Sequence, residues 1–413
     1  MALFSFAVVV LHLALGPLIP LFNERRHFAV PLAWALDWLL FVRPALPARW
    51  KSGVPALLVL GVAFGALNWG LVVEGARRGG GWAGAEEWVW KCAISLSLLA
   101  HWSLLARGIS SAWGALRVPS TARLILTAGL TTLLLAPYGF TVLNVHRVKS
   151  VSGRDPRTFK LLFENVRFAS GPLLLRGWWI PAARPTTRCV LVCHGISANM
   201  GAFVGVAPFL HRAGFNILFF DFRGHGSSPG HTASFGWNES EDVRAACKYL
   251  RSRGQDRIAL YGFSMGGAAV NLSFHPRWKS DKNFDSTVRA VLLDSTFARF
   301  APLVEQQLAV LPSALRPVLM RALSLCSQYE IGVRPEQIVP AQAVARIAPR
   351  PVLIIHGDAD QLIPLPQSLE LFQAAREPKA RVVVHGAGHC LCRLVNPPPY
   401  EKRVTAWLNR ALR

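Results

Sequence analysis

The stretch from Arg257 to Leu272 constrains this chain more than any other. Arg257-Ile-Ala-Leu-Tyr261 reads as a buried strand, and Ala268-Ala-Val-Asn-Leu272 reads as a helix. Between them lies Gly262-Phe-Ser-Met-Gly-Gly267, a G-x-S-x-G sequence with almost no room to turn. A strand that reverses into a helix through so few residues brings backbone segments too close for a Cβ, which explains Gly262 and Gly266. The arrangement holds Ser264 at the apex, with the positive end of the helix behind it. A strand–turn–helix of this kind belongs to an α/β architecture.

The same pattern occurs a second time, at Gly226-Ser-Ser-Pro-Gly230. The residue after an attacking serine must lend its N–H to the developing oxyanion. Pro229 has none, and neither strand nor helix abuts the match, so Ser228 belongs to a loop. After Ser264 that donor is Met265.

From Arg157 onward, short apolar or β-branched runs alternate with amphipathic stretches. Strands are expected at 159–167, 173–180, 188–193, 216–221, 257–261, 288–294, 351–356 and 380–385. Continuous apolar runs such as Ile217-Leu-Phe-Phe220 suit strands covered on both faces, hence a mostly parallel sheet between helices. The first two strands have no helix between them and are expected to form an antiparallel edge. Asn238-Glu-Ser-Glu241 has the form of a capping box opening a helix through Val243, Ala246, Cys247 and Leu250. The segment 295–345 reads as a short helical cap, leaving a fairly open site.

Three strands end in chemistry. Val190-Leu-Val-Cys193 runs into His194-Gly195-Ile196. Pro351-Val-Leu-Ile-Ile355 runs into His356-Gly-Asp-Ala-Asp360. Val382-Val-Val384 runs into His385-Gly-Ala-Gly-His389. Serine, acid and histidine therefore follow one another along the chain, with His389 as base and Asp358 or Asp360 as the acid that orients it. His194 reads as a structural residue of its turn. Arg223 and His225 read as a hydrogen-bonded loop, and Glu239 and Asp242 as acids serving a helix N-terminus.

These residues carry a resemblance. His194-Gly195, Asp221-Phe-Arg-Gly-His-Gly-Ser227, Gly236-x-x-Glu239-x-x-Asp242, Gly262-Phe-Ser-Met-Gly-Gly267, His356-Gly-x-x-Asp360-x-x-x-Pro364 and Gly388-His389 together resemble the α/β-hydrolases. Within them they are similar to the serine aminopeptidase and monoacylglycerol-lipase-like branch of bacterial membrane-linked enzymes. The resemblance spans about 160–413. It implies Ser264 as nucleophile, His389 as base, Asp360 rather than Asp358 as acid, and Ile196 and Met265 as oxyanion donors. It implies hydrolysis of a carboxylic ester, of a lipid or other acylated substrate, with no cofactor and no metal. Peptidase, thioesterase and acyltransferase chemistry use the same three residues, and an idle membrane-anchored interaction module is the reading from another class.

The first 145 residues are of another kind. Apolar runs at 3–22, 53–73, 88–106 and 122–145 are long enough to cross a bilayer, and 28–42 is a shorter fifth. Trp50, Trp69, Trp82, Trp88, Trp90 and Trp113 sit near their ends, as interfacial aromatics do. The expectation is a transmembrane region of four to five helices over 1–145, followed by a hydrolase domain over 146–413. His12, Asp37 and His101 lie at membrane depth, yet no paired interrupted segments suggest a transporter.

The net charge is +22, of which residues 1–145 carry +6 and the remainder +16. Arginine is scattered, and no nucleic-acid motif accompanies it, so an anionic membrane surface is the fitting partner. Arg147, Lys149, Arg154, Arg157 and Lys160 follow the last run and favour a cytoplasmic catalytic domain, at a bacterial inner membrane. The seven cysteines are odd in number and imply no disulfide framework. Cys390 and Cys392 beside His385 and His389 are too closely spaced for a zinc knuckle.

Overall fold

The computed structural model describes residues 136–146, 149, 153–278 and 282–413, together with Ala122. Chain contacts divide the protein into units 1–140 and 141–413. The apolar runs at 3–22, 28–42, 53–73 and 88–106 lie outside the described residues, as does all of 122–145 except Ala122 and the helical stretch 136–145. Among the described residues, no helix is long and apolar enough to cross a membrane.

The second unit is built on eight strands: β1 (Glu164–Ser170), β2 (Leu173–Ile180), β3 (Arg188–Cys193), β4 (Asn216–Phe220), β5 (Arg257–Phe263), β6 (Val288–Asp294), β7 (Val352–Gly357) and β8 (Lys379–Val384). They form one sheet in the order β1-β2-β4-β3-β5-β6-β7-β8. The β1/β2 and β2/β4 pairs are antiparallel, and every pair from β4 to β8 is parallel. The antiparallel edge is where the missing helix puts it.

The apolar runs are continuous because the sheet has a core on each face. In β3, Cys189, Leu191 and Cys193 enter one core while Val190 and Val192 enter the other. β4 and β7 alternate in the same way, Ile354 to the first and Leu353 and Ile355 to the second. On the first face lie α2 (Glu239–Ser252), α3 (Met265–Leu272), α4 (Lys282–Thr287) and α8 (Pro366–Ala374). On the second lie α1 (Ala207–Arg212), α9 (Cys392–Val395) and α10 (Pro397–Ala411). The stripe of α2 is Val243, Ala246, Cys247 and Leu250, all buried. Burying a side chain such as Leu250 contributes about 1.5–3 kcal/mol.

Two expectations are corrected. The first strand begins at Glu164 rather than at 159, because Asp155 accepts the Arg157 N–H and Pro156 opens a 3-10 turn over Pro156–Phe159. It extends to Ser170, where Gly171 at φ 54° makes the turn into β2. The capping box does not form, since Asn238 is itself helical and its side chain caps nothing. Glu239 instead accepts from the Ser234 N–H, the Ser234 hydroxyl and the Gly236 N–H.

Between β6 and β7 run α5 (Ala301–Gln307), α6 (Arg316–Ile331) and α7 (Pro340–Val344), joined by 3-10 turns. α6 stops at Gly332, whose φ of 74° suits only a left-handed cap. This segment has its own small core of Phe297, Ile331, Val333, Ile338 and Ala343, in contact with Ala268 of α3 and Ile363. Val145 enters the same core, and its carbonyl accepts the Ala233 N–H at 2.9 Å.

Candidate active site

Five strand ends meet at one edge of the sheet. β5 delivers Ser264 between its last residue and the first of α3, at φ 53° and ψ −121°. The glycines around it answer to backbone contacts. A Cβ on Gly262 would stand 2.5 Å from the Gly267 Cα, and one on Gly266 would stand 2.3 Å from the Cys193 carbonyl oxygen. The Ser264 N–H donates to the Asp294 carbonyl at 2.9 Å, tying the turn to the end of β6.

The Ser264 hydroxyl lies 2.9 Å from His389 Nε2. His389 Nδ1 lies 2.8 Å from Asp360 Oδ2. A carboxylate only accepts, so the imidazole carries its proton on Nδ1 and offers Nε2 to the serine. The other oxygen of Asp360 accepts the Leu362 and Ile363 N–H groups at 3.0 and 2.8 Å. His356 donates from Nε2 to the Ile363 carbonyl at 2.8 Å and stands 3.6 Å from Asp360 Oδ2. Serine, imidazole and carboxylate thus form one hydrogen-bonded series, able to pass a proton from a hydroxyl to a base held in one tautomer.

Asp358 is not part of this series. It faces outward and binds His385 Nδ1 at 2.5 Å and the Gly386 N–H at 2.7 Å, the latter bond holding its carboxyl below the usual range. The His385 side chain is 93 % exposed.

The loop after β3 closes over the serine. A Cβ on Gly195 would lie 3.3 Å from the Ser264 Cβ and 3.8 Å from its Oγ. Ile196 follows Gly195 in this loop, and Met265 opens α3 on the other side of the serine. His194 sets the loop's shape: Nδ1 donates to the Gly195 carbonyl at 2.7 Å and Nε2 accepts the Phe222 N–H at 3.1 Å. Both bonds require the neutral ring. Burial, with His225 beside it, pushes the His194 pKa down to about 3.

Ser264 is 4 % exposed, because the Gly195 loop and the His389 ring both stand against it. Arg223 binds Asp242, Glu241 and Ser170. Asp242 therefore serves Arg223 and Ser170 rather than its own helix end. Ser228 is tied into its loop, donating to the Asp221 carbonyl and accepting the Arg176 N–H. Asp221 spans the loops after β3 and β4 by accepting the Met200 and Ser227 N–H groups, and burial raises its pKa to about 6.

Sequence reasoning passed over Asp294, Ser295 and Tyr400, which lie directly behind the site. Their signal was an acid ending the apolar run Val291-Leu-Leu293.

Residues 190–398 match the alpha/beta hydrolase family. The chain belongs to that family. It is 30 % identical over 234 residues to YfhR of Escherichia coli strain K12, spanning 55 % of this chain and 73 % of that protein. It is 27 % identical over 241 residues to YqkD of Bacillus subtilis strain 168, spanning 57 % and 75 %. Among solved structures, the Pyrococcus furiosus esterase Pf2001 superimposes with a TM-score of 0.51 at 22 % identity, covering 66 % of this hydrolase and 98 % of that chain. That likeness is one of fold, and the family's sheet is the sheet described above.

Proposed function

We propose that this alpha/beta hydrolase is a serine hydrolase that cleaves carboxylic esters through an acyl-enzyme on Ser264. The observation that carries the reading is the series Ser264 Oγ–His389 Nε2 at 2.9 Å and His389 Nδ1–Asp360 Oδ2 at 2.8 Å. In this mechanism His389 takes the serine proton as the ester carbonyl is attacked and returns it to the leaving alcohol. Asp360 stabilises the imidazolium. The N–H groups of Ile196 and Met265 hold the oxyanion, and His389 then activates water against the acyl-enzyme.

The solved esterase that shares the fold supports an ester as the substrate class. The apolar runs of residues 1–145 support an integral membrane anchor and a lipid-like acyl substrate, in the manner of the monoacylglycerol-lipase-like and serine aminopeptidase branch. The basic residues after residue 146 support a catalytic unit on the cytoplasmic side of a bacterial inner membrane.

The test is fluorophosphonate labelling of the full-length protein beside Ser264→Ala, followed by a chain-length series of acyl esters. Labelling of the wild type alone, with release of free acid, is the expected result. Equal labelling of both proteins would move the nucleophile elsewhere. Transfer of the acyl group to an added alcohol in place of water would make the enzyme an acyltransferase. Protease protection in sealed vesicles tests the anchor, and a catalytic unit digested from the outside would reverse the proposed orientation.

A further inference from the structure

Behind the serine and the imidazole lies a buried set of groups with no part in the mechanism above. Asp294 and Ser295, at the end of β6, are 1 % and 0 % exposed. The Tyr400 hydroxyl donates to Asp294 Oδ2 at 2.5 Å and is itself in contact with the Tyr261 hydroxyl. The Ser295 hydroxyl donates to Asp294 Oδ1 at 2.9 Å. A hydroxyl has one hydrogen and two lone pairs. With its hydrogen committed to Asp294, Ser295 Oγ is left as an acceptor, and it receives the Cys390 N–H at 3.1 Å. Burial raises the Asp294 pKa, against the opposing pull of the Tyr400, Ser295 and Cys392 donors.

Cys390 follows His389 directly, and its φ of 57° is left-handed, a conformation that a non-glycine residue holds only when its surroundings impose it. The Ser295 hydroxyl supplies that constraint. On its other side, the Asp294 carbonyl accepts the Ser264 N–H at 2.9 Å, and the Ser295 N–H is fixed to the Ile355 carbonyl at 3.0 Å. Two consecutive residues therefore hold the nucleophile's turn by a carbonyl and the base's turn by a hydroxyl.

We infer that Asp294 and Ser295 are positioning residues that set the distance between Ser264 and His389, with Tyr400 and Tyr261 orienting the Asp294 carboxyl from behind. The inference rests on the reading of Ser264 and His389 as nucleophile and base. Its physical content is that the base is located by the hydrogen bond to the following N–H as well as by Asp360. A misplacement on the order of 1 Å between reacting groups costs about 10²-fold in rate.

Ser295→Gly separates this role from a backbone one, because Ser295 sits at φ 55°. Glycine takes that conformation freely and removes the hydroxyl together with its Cβ, leaving the backbone path unhindered. In the full-length protein, Ser295→Gly is expected to fold and to lower kcat on a chromogenic short-chain acyl ester by about 10–100-fold, with KM within about twofold. Fluorophosphonate labelling should slow by the same factor. A readout independent of turnover is the downfield proton resonance of the His389 Nδ1–H, identified by its loss in His389→Gln. It should shift or broaden in Ser295→Gly. Tyr400→Phe, which removes a donor to Asp294 without touching the turn, should move kcat and the resonance in the same direction by less.

Wild-type kcat and an unmoved resonance in Ser295→Gly would overturn the inference. If Ser295→Gly does not fold, Tyr400→Phe decides, and an unmoved resonance there overturns it equally. A wild type that neither labels nor turns over ester, but whose resonance moves in the variants, would sink the proposed reaction and leave the positioning intact.

Discussion

His389 and Asp360 are joined at 2.8 Å through Nδ1 and Oδ2, while the second oxygen of Asp360 takes the backbone N–H groups of Leu362 and Ile363. The carboxylate is thereby fixed in orientation before it meets the imidazole. Asp360→Asn replaces an obligate acceptor by a group that can donate, and it favours the wrong tautomer of His389. The expected loss is on the order of 10⁴ in kcat with the fold intact. Asp358→Asn, at the solvent-screened pair with His385, should leave kcat within about threefold, since Asp358 makes no contact with His389 or Ser264 among its hydrogen bonds. Steady-state kinetics on one ester, with circular dichroism of both variants, decides between them; the greater loss in Asp358→Asn would assign the acid to the other carboxylate.

Gly266 faces the Cys193 and His194 carbonyl oxygens so closely that an added Cβ would stand 2.3 and 2.5 Å from them. Backbone atoms cannot yield as a flexible side chain would. Gly266→Ala should therefore destabilise the unit by about 1–3 kcal/mol and abolish labelling by displacing the first turn of α3. Gly254, with nothing within 4 Å of its would-be Cβ but a φ of 78°, serves as a control for conformational strain without contact. Urea titration of Gly266→Ala and Gly254→Ala separates the two effects. A Gly266→Ala protein as stable and as reactive as wild type would contradict the contact.

His194 makes stability depend on pH. The unfolded ring takes up a proton below about pH 6.5, but the folded ring does so only near pH 3. Its contribution is complete above 6.5 and declines as pH falls, by up to about 1.4 kcal/mol per pH unit. Asp221 has the opposite slope: its carboxyl is raised to about 6 from an ordinary 3.8, so its contribution is lost as pH rises across that interval. The two oppose each other between pH 3.8 and 6. Unfolding free energies measured from pH 4 to 7 for wild type and His194→Asn should differ by a slope that favours wild type towards neutral pH. Parallel curves would mean that the buried ring is not the source.

Some of this is legible in the sequence itself. The turn at Ser264 could be read because Gly262 and Gly266 are spent on contacts that nothing else satisfies. The parallel sheet could be read because β3, β4 and β7 alternate between two cores and so carry no polar face. Asp358 and Asp360 could not be told apart by spacing, since both follow the same strand end and only the path of the loop turns one outward. The capping box at Asn238 misled because the Asn238 N–H goes to the Ser234 hydroxyl and Glu241 goes to Arg223, partners whose position depends on the loops and not on the helix. Asp294 showed only as an acid closing an apolar run, because its donor Tyr400 lies 106 residues after it and Tyr261, which contacts Tyr400, lies 33 before it.

The conformation of Ser264, φ 53° and ψ −121°, has a consequence for the molecule as a whole. A side chain held there costs about 1–3 kcal/mol. Ser264→Ala keeps that strain, whereas Ser264→Gly releases it, less the larger chain entropy that glycine brings to the unfolded state. The glycine variant should therefore melt at a higher temperature than the alanine variant, and both should be inert towards fluorophosphonate. A protein with total stability of only about 5–15 kcal/mol gives up a sizeable share of its margin at one backbone position. On the proposed mechanism, a reactive hydroxyl at residue 264 is held at the expense of durability.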